Sequence, residues 1–274
     1  MIRGKVIILV IFCSVIISCF HKRVDNESFV VTKDGDGNLQ SEINYLNDKV
    51  MHGLAKYYYS IPENVLKDEI EFSKGIKDGW HKHYRHDGTL ESKIHWKNNL
   101  EDGENFWYYS NGVLEQKTFR IKGRQYGSGY FYYANGKTRL YNCFDSWGEN
   151  MYVLKYDEQG NKIKEEGMVF SPQFVALYLN DSMQTPISFH TIKAGKEIAI
   201  KTTVAQPPHT NTIIRMGEMN KSMSELPIVN YTATLKQSFT KTGKHTLIIA
   251  GEIKDLNNNL LKYDSTTVVV IVIE

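Results

Sequence analysis

The sequence predicts an all-β protein in which stacked 24-residue β-hairpin repeats are followed by a β-sandwich. Three observations carry that expectation. Gly79, Gly103 and Gly127 lie 24 residues apart, and Gly88, Gly112, Gly136 and Gly160 keep the same spacing, as do Tyr84, Tyr108, Tyr132 and Tyr156. Columns in phase at such a period signal a repeat architecture. Asp87-Gly88, Asn111-Gly112 and Asn135-Gly136 are hairpin-turn dipeptides, because Asp, Asn and Gly tolerate positive φ angles. Past Gly167 the period stops, and seven short β-rich runs separated by turn residues follow.

The N-terminus predicts the compartment. Arg3 and Lys5 precede an uncharged apolar run, Val6 to Ile17, and Ser18-Cys19 comes next. A basic start, a short apolar stretch and a small residue before the cut make a secretory signal. The run is too short for a spanning helix, which needs about 20 residues. Ile16-Ile17-Ser18-Cys19 resembles the lipobox of bacterial lipoproteins. That resemblance implies a signal peptide over residues 1–19, with Cys19 as the lipid-attachment residue and the membrane of the cell envelope as a partner through that lipid. Two or three acyl chains hold firmly where one holds only marginally.

With 274 residues, 41% hydrophobic and 12% aromatic, the chain has material for two ordinary domains. Its formal net charge is +2, and the leader holds Arg3 and Lys5 and no acid, so the remainder is balanced. A nucleic-acid partner is not expected, since that needs a clustered excess of Lys and Arg. Cys13 leaves with the leader and Cys19 is committed to lipid, so Cys143 is alone. Without a disulfide framework the cores must hold the fold.

Residues 20–47 are polar and read as a flexible linker. Within them Asp34, Asp36 and Asn38 imitate the start of a calcium loop, but Leu39 and Tyr45 stand where Gly and a bidentate Glu are needed. An ordinary turn is expected. Residues 48–167 form the repeats. Each unit is a hairpin with a type I′ turn at the second glycine. In the return strands Leu90, Ile94 and Trp96 alternate with Glu91 and Lys93, so one face is buried and the other wet. The aromatic columns are expected to pack between neighbouring units.

The runs Asp78-Gly79 to Gly88, Asp102-Gly103 to Gly112 and Tyr126-Gly127 to Gly136 resemble the MORN-repeat variants of the bacterial family known as toxin-antitoxin antitoxin components. The resemblance covers about 120 residues and implies a binding or membrane-apposed scaffold. Tyr57-Tyr58-Tyr59 before Ile61-Pro62, and the displaced Gly148, mark expected capping units.

Residues 168–274 read as an immunoglobulin-like sandwich, with a boundary at Val169 to Pro172 and strands over Phe174-Leu179, Ile187-Ile192, Glu197-Val204, Thr212-Met216, Val229-Phe239, His245-Ile253 and Leu260-Ile273. Tyr231 to Phe239 and Gly243 to Ile249 are similar to the penultimate hairpin of PKD-like modules, with His245 where Tyr is usual, so a tyrosine-corner bond is not expected. Thr266 to Ile273 is apolar on both faces and is expected inside, since such an edge left open aggregates.

No catalytic site is expected. His81, His83 and His95 suggest zinc, but later repeats place Asn105, Trp107 and Phe119 in those columns, so the histidines occupy generic positions and neither metal nor cofactor is expected. The pairs Asp68-Glu69, Glu101-Asp102 and Glu165-Glu166 suggest a glycosidase but lie at turns and strand ends. Gly-x-Ser-x-Gly, phosphate-loop, dinucleotide and His-Glu-x-x-His motifs are missing. Cys143 reads as a small buried hydrophobe. Trp107, Tyr109, Phe131 and Tyr133 are expected on the face opposite the tyrosine column, as an aromatic strip able to bind protein or sugar. The reading is therefore a non-catalytic envelope lipoprotein that binds a protein or glycan; an antitoxin or immunity protein and a carbohydrate-active enzyme are the alternatives.

Overall fold

The computed structural model describes residues 27–61, 64–171, 176–179, 182–184 and 190–274. The leader, the lipobox and Cys19 lie outside them. No helix occurs among the described residues, and so none is long and apolar enough to cross a membrane. The chain divides into two compact units, one running to Arg124 and taking in Ala134–Gly136, the other made of Gln125–Tyr133 and Lys137–Glu274.

The first unit is an antiparallel meander of β1 (Glu27–Lys33), β2 (Leu39–Leu46), β3 (Val50–Tyr58), β4 (Leu66–Ser73), β5 (Ile76–Tyr84), β6 (Leu90–Lys97), β7 (Leu100–Tyr108) and β8 (Leu114–Ile121), each paired with the next. Residues 27–47 are thus not a linker. Ser28-Phe29-Val30-Val31-Thr32 is β-branched and aromatic, and it pairs with β2 from Glu27 opposite Leu46 onward. Tyr57-Tyr58-Tyr59 consequently sits inside the sheet and caps nothing.

Two kinds of turn alternate, and the type I′ expectation falls on the wrong one. At Arg85 to Thr89 the Gly88 amide donates to Arg85 O (2.9 Å) and the Arg85 amide to Thr89 O (2.8 Å). Gly88 alone takes a positive φ, +81°, while Asp87 does not. This is a type I turn closed by a left-handed glycine. Asp87 Oδ1 accepts the Thr89 amide at 2.9 Å, and Asn111 Oδ1 accepts that of Val113 at 3.0 Å, which explains Asp and Asn there without positive φ. The type I′ turns are at the opposite ends: Asn47-Asp48, Lys74-Gly75, Asn98-Asn99 and Lys122-Gly123 have both central φ values positive. Asp34 belongs to the first kind; its Oδ1 accepts the Asp36 and Asn38 amides at 2.9 Å, an ordinary turn.

Gly79 (φ +121°) sits at a bulge of β5 opposite Glu71, and a Cβ there would lie 1.9 Å from Glu71 Oε2. That carboxylate accepts the Trp80 amide at 2.9 Å. The glycine column is therefore required by conformation and close approach together.

Among the described residues no second layer covers this sheet within its unit, which corrects the expected burial of the tyrosines. Tyr84 and Tyr108 are half-buried, and Tyr84 Oη donates to Glu69 Oε2 (2.9 Å) beside Lys82 Nζ (2.8 Å) on the charged face. The buried residues include Ile43, Ala55 and Ile70 but also Ser41, Ser92, Asn105 and Thr118. Small polar groups shielded by longer neighbours replace a conventional core, and stability rests on strand-to-strand contacts.

In the second unit β9 ends at Gln125, after beginning at Arg124. β10 (Gly127–Tyr132), β11 (Thr138–Phe144), β12 (Asn150–Tyr156) and β13 (Lys162–Gly167) continue the antiparallel pattern. Then come β14 (Ala176–Leu179), β15 (Ser182–Gln184), β16 (His190–Lys193), β17 (Glu197–Thr203), β18 (Thr210–Glu218), β19 (Ser224–Leu226), β20 (Ile228–Val229), β21 (Thr232–Ser238), β22 (Gly243–Asp255) and β23 (Leu260–Ile273). They form two five-stranded sheets, β15-β14-β17-β21-β20 and β16-β23-β22-β18-β19. Each of the seven expected runs holds a strand. β23 lies between β22 and a parallel β16, so its apolar run is not an edge.

One core joins these elements. Tyr141, Cys143, Tyr152 and Leu154 of β11 and β12 pack in a single cluster with Val169, Phe170, Ile200, Ile214, Ile249 and Val270. Tyr141 Oη accepts the Gln206 amide at 2.7 Å and Tyr130 Oη donates to Gln206 O at 2.9 Å. The chain passes from the first compact unit to the second at Arg124 and Gln125. The reason is written in the columns: Lys93 and Lys117 of the charged face become Tyr141, and Lys82 becomes Phe106, Tyr130 and then Leu154. Cys143 is fully buried, its Sγ 3.7 Å from Val204 O, and burial pushes its thiol up to about 12, where it is unreactive.

Candidate functional site

The best-defined polar and aromatic constellation lies on the face of the first unit opposite its Lys and Glu ladder. Strand pairing sets Tyr57, Asp68, His83, Ser92, Trp107 and Gln116 opposite one another in turn across six strands, β3 to β8. Directly paired residues of antiparallel strands project to the same side. Strands lie about 4.8 Å apart, so His83 and Trp107 stand about 10 Å from each other with only Ser92 between them. Ser92 is buried. Ser92 is thus a small residue between two ring-bearing side chains, an imidazole on one side and an indole on the other.

The His83 ring is held in place. Asp68 Oδ1 accepts from His83 Nδ1 at 2.8 Å and from His81 Nε2 at 2.9 Å. An ionised carboxylate only accepts, so these two nitrogens carry protons. Tyr59 stacks on His86 at 3.9 Å and meets His83 edge-on at 6.5 Å. Burial pushes the Asp68 carboxyl upward, but the bonds from the two histidines outweigh it, and its pKa falls below the ordinary 3.8.

That shift has a sign. A carboxyl lowered in the folded state contributes stability that is present above its unfolded value and lost as pH falls through the folded one. Asp68→Asn is expected to flatten the acid limb of the stability curve between about pH 5 and about pH 2. Urea midpoints measured across that range check it, and identical slopes in wild type and variant would remove Asp68 as the cause.

The other expected sites come apart. His95 does not join His81 and His83: its Nδ1 bonds Asp102 O at 2.6 Å and its ring meets Trp80 edge-on at 4.9 Å on the other face. Among the described residues no group of three His, Cys, Asp or Glu is arranged to hold a metal. Asp68 and Glu69 point to opposite faces, the first to histidines and the second to Lys82 and Tyr84. Asp68 and Glu69 are therefore not set to flank one glycosidic bond. Glu101 is paired with Arg120 at 2.9 Å, and Glu166 with Lys164 at 2.8 Å. The aromatic strip is divided too, since Trp107 and Tyr109 belong to the first unit and Phe131 and Tyr133 to the second. Tyr133 Oη donates to Tyr156 O at 2.9 Å, a bond from one repeat to the next. Tyr59 does the same to Tyr84 O at 2.7 Å, and Arg85 to Tyr108 O.

Sequence reasoning did not bring Tyr57, Asp68 and Ser92 together with His83 and Trp107. A signal was present. His83, Trp107 and Phe131 are 24 apart, and so are Ser92, Gln116 and Leu140; Ser92 is the small member of its column, next to two rings.

Fold and site together define an all-β repeat protein that sets His83 and Trp107 on either side of a buried serine on one sheet face. No family model and no curated protein matches the chain. Among solved structures, the extracellular domain of a proposed one-component system of B. thetaiotaomicron is similar at 12% identity with a TM-score of 0.27, over 90% of this chain and 36% of that one. The chain thus spans about a third of that structure's length.

Proposed function

We propose that this is a non-catalytic lipoprotein of the bacterial envelope, held by lipid on Cys19, that binds a glycan on the sheet face between His83 and Trp107. The observation that carries the reading is the pairing register that sets a buried Ser92 between two ring side chains. Stacking on an indole with hydroxyl and imidazole donors beside it is the chemistry that sugar rings accept. Binding is favoured over turnover because both acids beside His83 are already engaged, Asp68 by two histidines and Glu91 by His83 Nε2 at 3.6 Å and Arg85 at 3.9 Å. The second unit supports an immunoglobulin-like assignment: β14-β17-β21-β20 and β18-β22-β23 follow the strand order of the two sheets of that fold. His245 Nε2 bonds Lys241 O at 2.8 Å, standing in for the tyrosine-corner bond.

The test is retention of the purified full chain on a glycan array. Wild type is expected to be retained and Trp107→Ala to lose affinity by about tenfold or more, as stacking contacts of 1–3 kcal/mol imply. A stoichiometric protein partner from detergent-solubilised envelopes, with no glycan retained, overturns the sugar reading. Cys19→Ala is expected to abolish palmitate labelling; unchanged membrane retention in that variant counts against the anchor.

A further inference from the structure

The outermost strands of the sheets differ in how well they are protected. β15, β16, β19 and β20 are two to four residues long. β13 reads Lys-Ile-Lys-Glu-Glu-Gly, so charge guards its edge. Short strands and charged edges are the usual ways of preventing edge-to-edge association. β1 has neither defence: it is seven residues long, and Ser28-Phe29-Val30-Val31-Thr32 carries no charge. Among the described strands only β2 pairs with it, leaving its other edge without a strand.

The sequence of β1 is complementary to itself. Its two ends are Glu27 and Lys33, equidistant from Val30. Laid antiparallel against a second β1 about a two-fold axis at Val30, Glu27 of each copy faces Lys33 of the other. Ser28 then faces Thr32, and Phe29 faces Val31. Like residues and opposite charges meet across the junction, the arrangement a symmetric interface requires. We propose that a second copy of this chain occupies the β1 edge, pairing antiparallel about Val30 to make one continuous sheet from two first units. Three or four outward-facing residues per strand supply about six to eight backbone hydrogen bonds. So small an interface belongs to the weak, reversible class.

The experiment is analytical ultracentrifugation of the full chain in detergent over a range of concentrations. Wild type is expected to pass reversibly from monomer to dimer. Glu27→Lys sets Lys against Lys33 at both ends and is expected to weaken the dimer about tenfold, and Lys33→Glu to do the same. The double swap Glu27→Lys with Lys33→Glu restores complementarity and is expected to recover wild-type affinity. Val30→Lys brings two charges together at the axis and is expected to leave only monomer, with far-UV circular dichroism confirming that the sheet is intact. A wild type that is monomeric throughout, or a double swap as weak as the single variants, overturns the proposal. Loss of glycan binding in Trp107→Ala does not bear on it, since Trp107 is on β7.

Discussion

Tyr141→Ala is expected to lower the stability of the second unit by about 3–5 kcal/mol, the range for removing a large buried ring. The side chain is fully buried, with its ring 5.1 Å from that of Tyr130 and 6.1 Å from that of Tyr152. Its hydroxyl also accepts the Gln206 amide and lies 2.9 Å from Ser128 Oγ. Truncation therefore leaves a cavity and two unsatisfied polar groups, whereas Tyr141→Phe keeps the ring and is expected to cost only about 1–3 kcal/mol. Hydrogen exchange read along the chain distinguishes two outcomes. Because Tyr141 belongs to the same core as Ile200, Ile249 and Val270, exchange is expected to quicken in β10 to β12 and equally in β17 and β22. Acceleration confined to β10 to β13 would mean that the last repeats and the C-terminal sheets are separate folding units after all.

Gly167→Ala is the second change with a large expected effect. Gly167 pairs with Tyr152 at the end of β13 and adopts φ +102°, where an added Cβ would sit 2.1 Å from Met151 O and 2.7 Å from Tyr152 Cα. Both are main-chain atoms, so relief requires the strand pair to separate, which also stretches the 2.9 Å bond from the Met168 amide to Met151 O. Strain and clash together are expected to cost about 3 kcal/mol or more. Gly195→Ala is the control: its φ is +79° but no atom lies within 4 Å of the added Cβ, leaving about 1 kcal/mol of conformational strain. Thermal melts of the two variants check the difference, and equal shifts would show that backbone conformation alone, without the close approach, sets the cost.

Much of the architecture was legible. The three 24-residue columns predicted hairpin repeats, and all seven C-terminal runs hold strands, because alternation at period 2 and turn chemistry act over a few residues. The errors share a cause. The Asp-Gly and Asn-Gly dipeptides predict positive φ at both residues, yet Asp87 caps an amide and only Gly88 turns left-handed. Asx capping and the type I′ turn favour the same residues, so composition cannot separate them. Residues 27–47 looked like a tether because their polar side chains outnumber their apolar ones, although a sheet without a second layer needs little apolar surface. The site was half legible: the sequence marks Trp107 as a binding aromatic and His83 as a zinc candidate, but not their meeting across Ser92, since His83 and Ser92 lie 24 and 15 positions from Trp107.

The chain by itself determined what depends on local rules: β-structure throughout, the 24-residue period, the placing of its glycines and the strands that follow. Tertiary structure alone decided which face of each strand is covered. In β6 and β8 that face carries Lys93 and Lys117 and stays wet, whereas in β11 the same column is Tyr141 and fully buried. Period fixes direction relative to the next residue, but a second layer arrives from segments up to about 130 positions away, such as Val270. That arrival moves the division of the chain to Arg124 and Gln125, where no composition shift announces it.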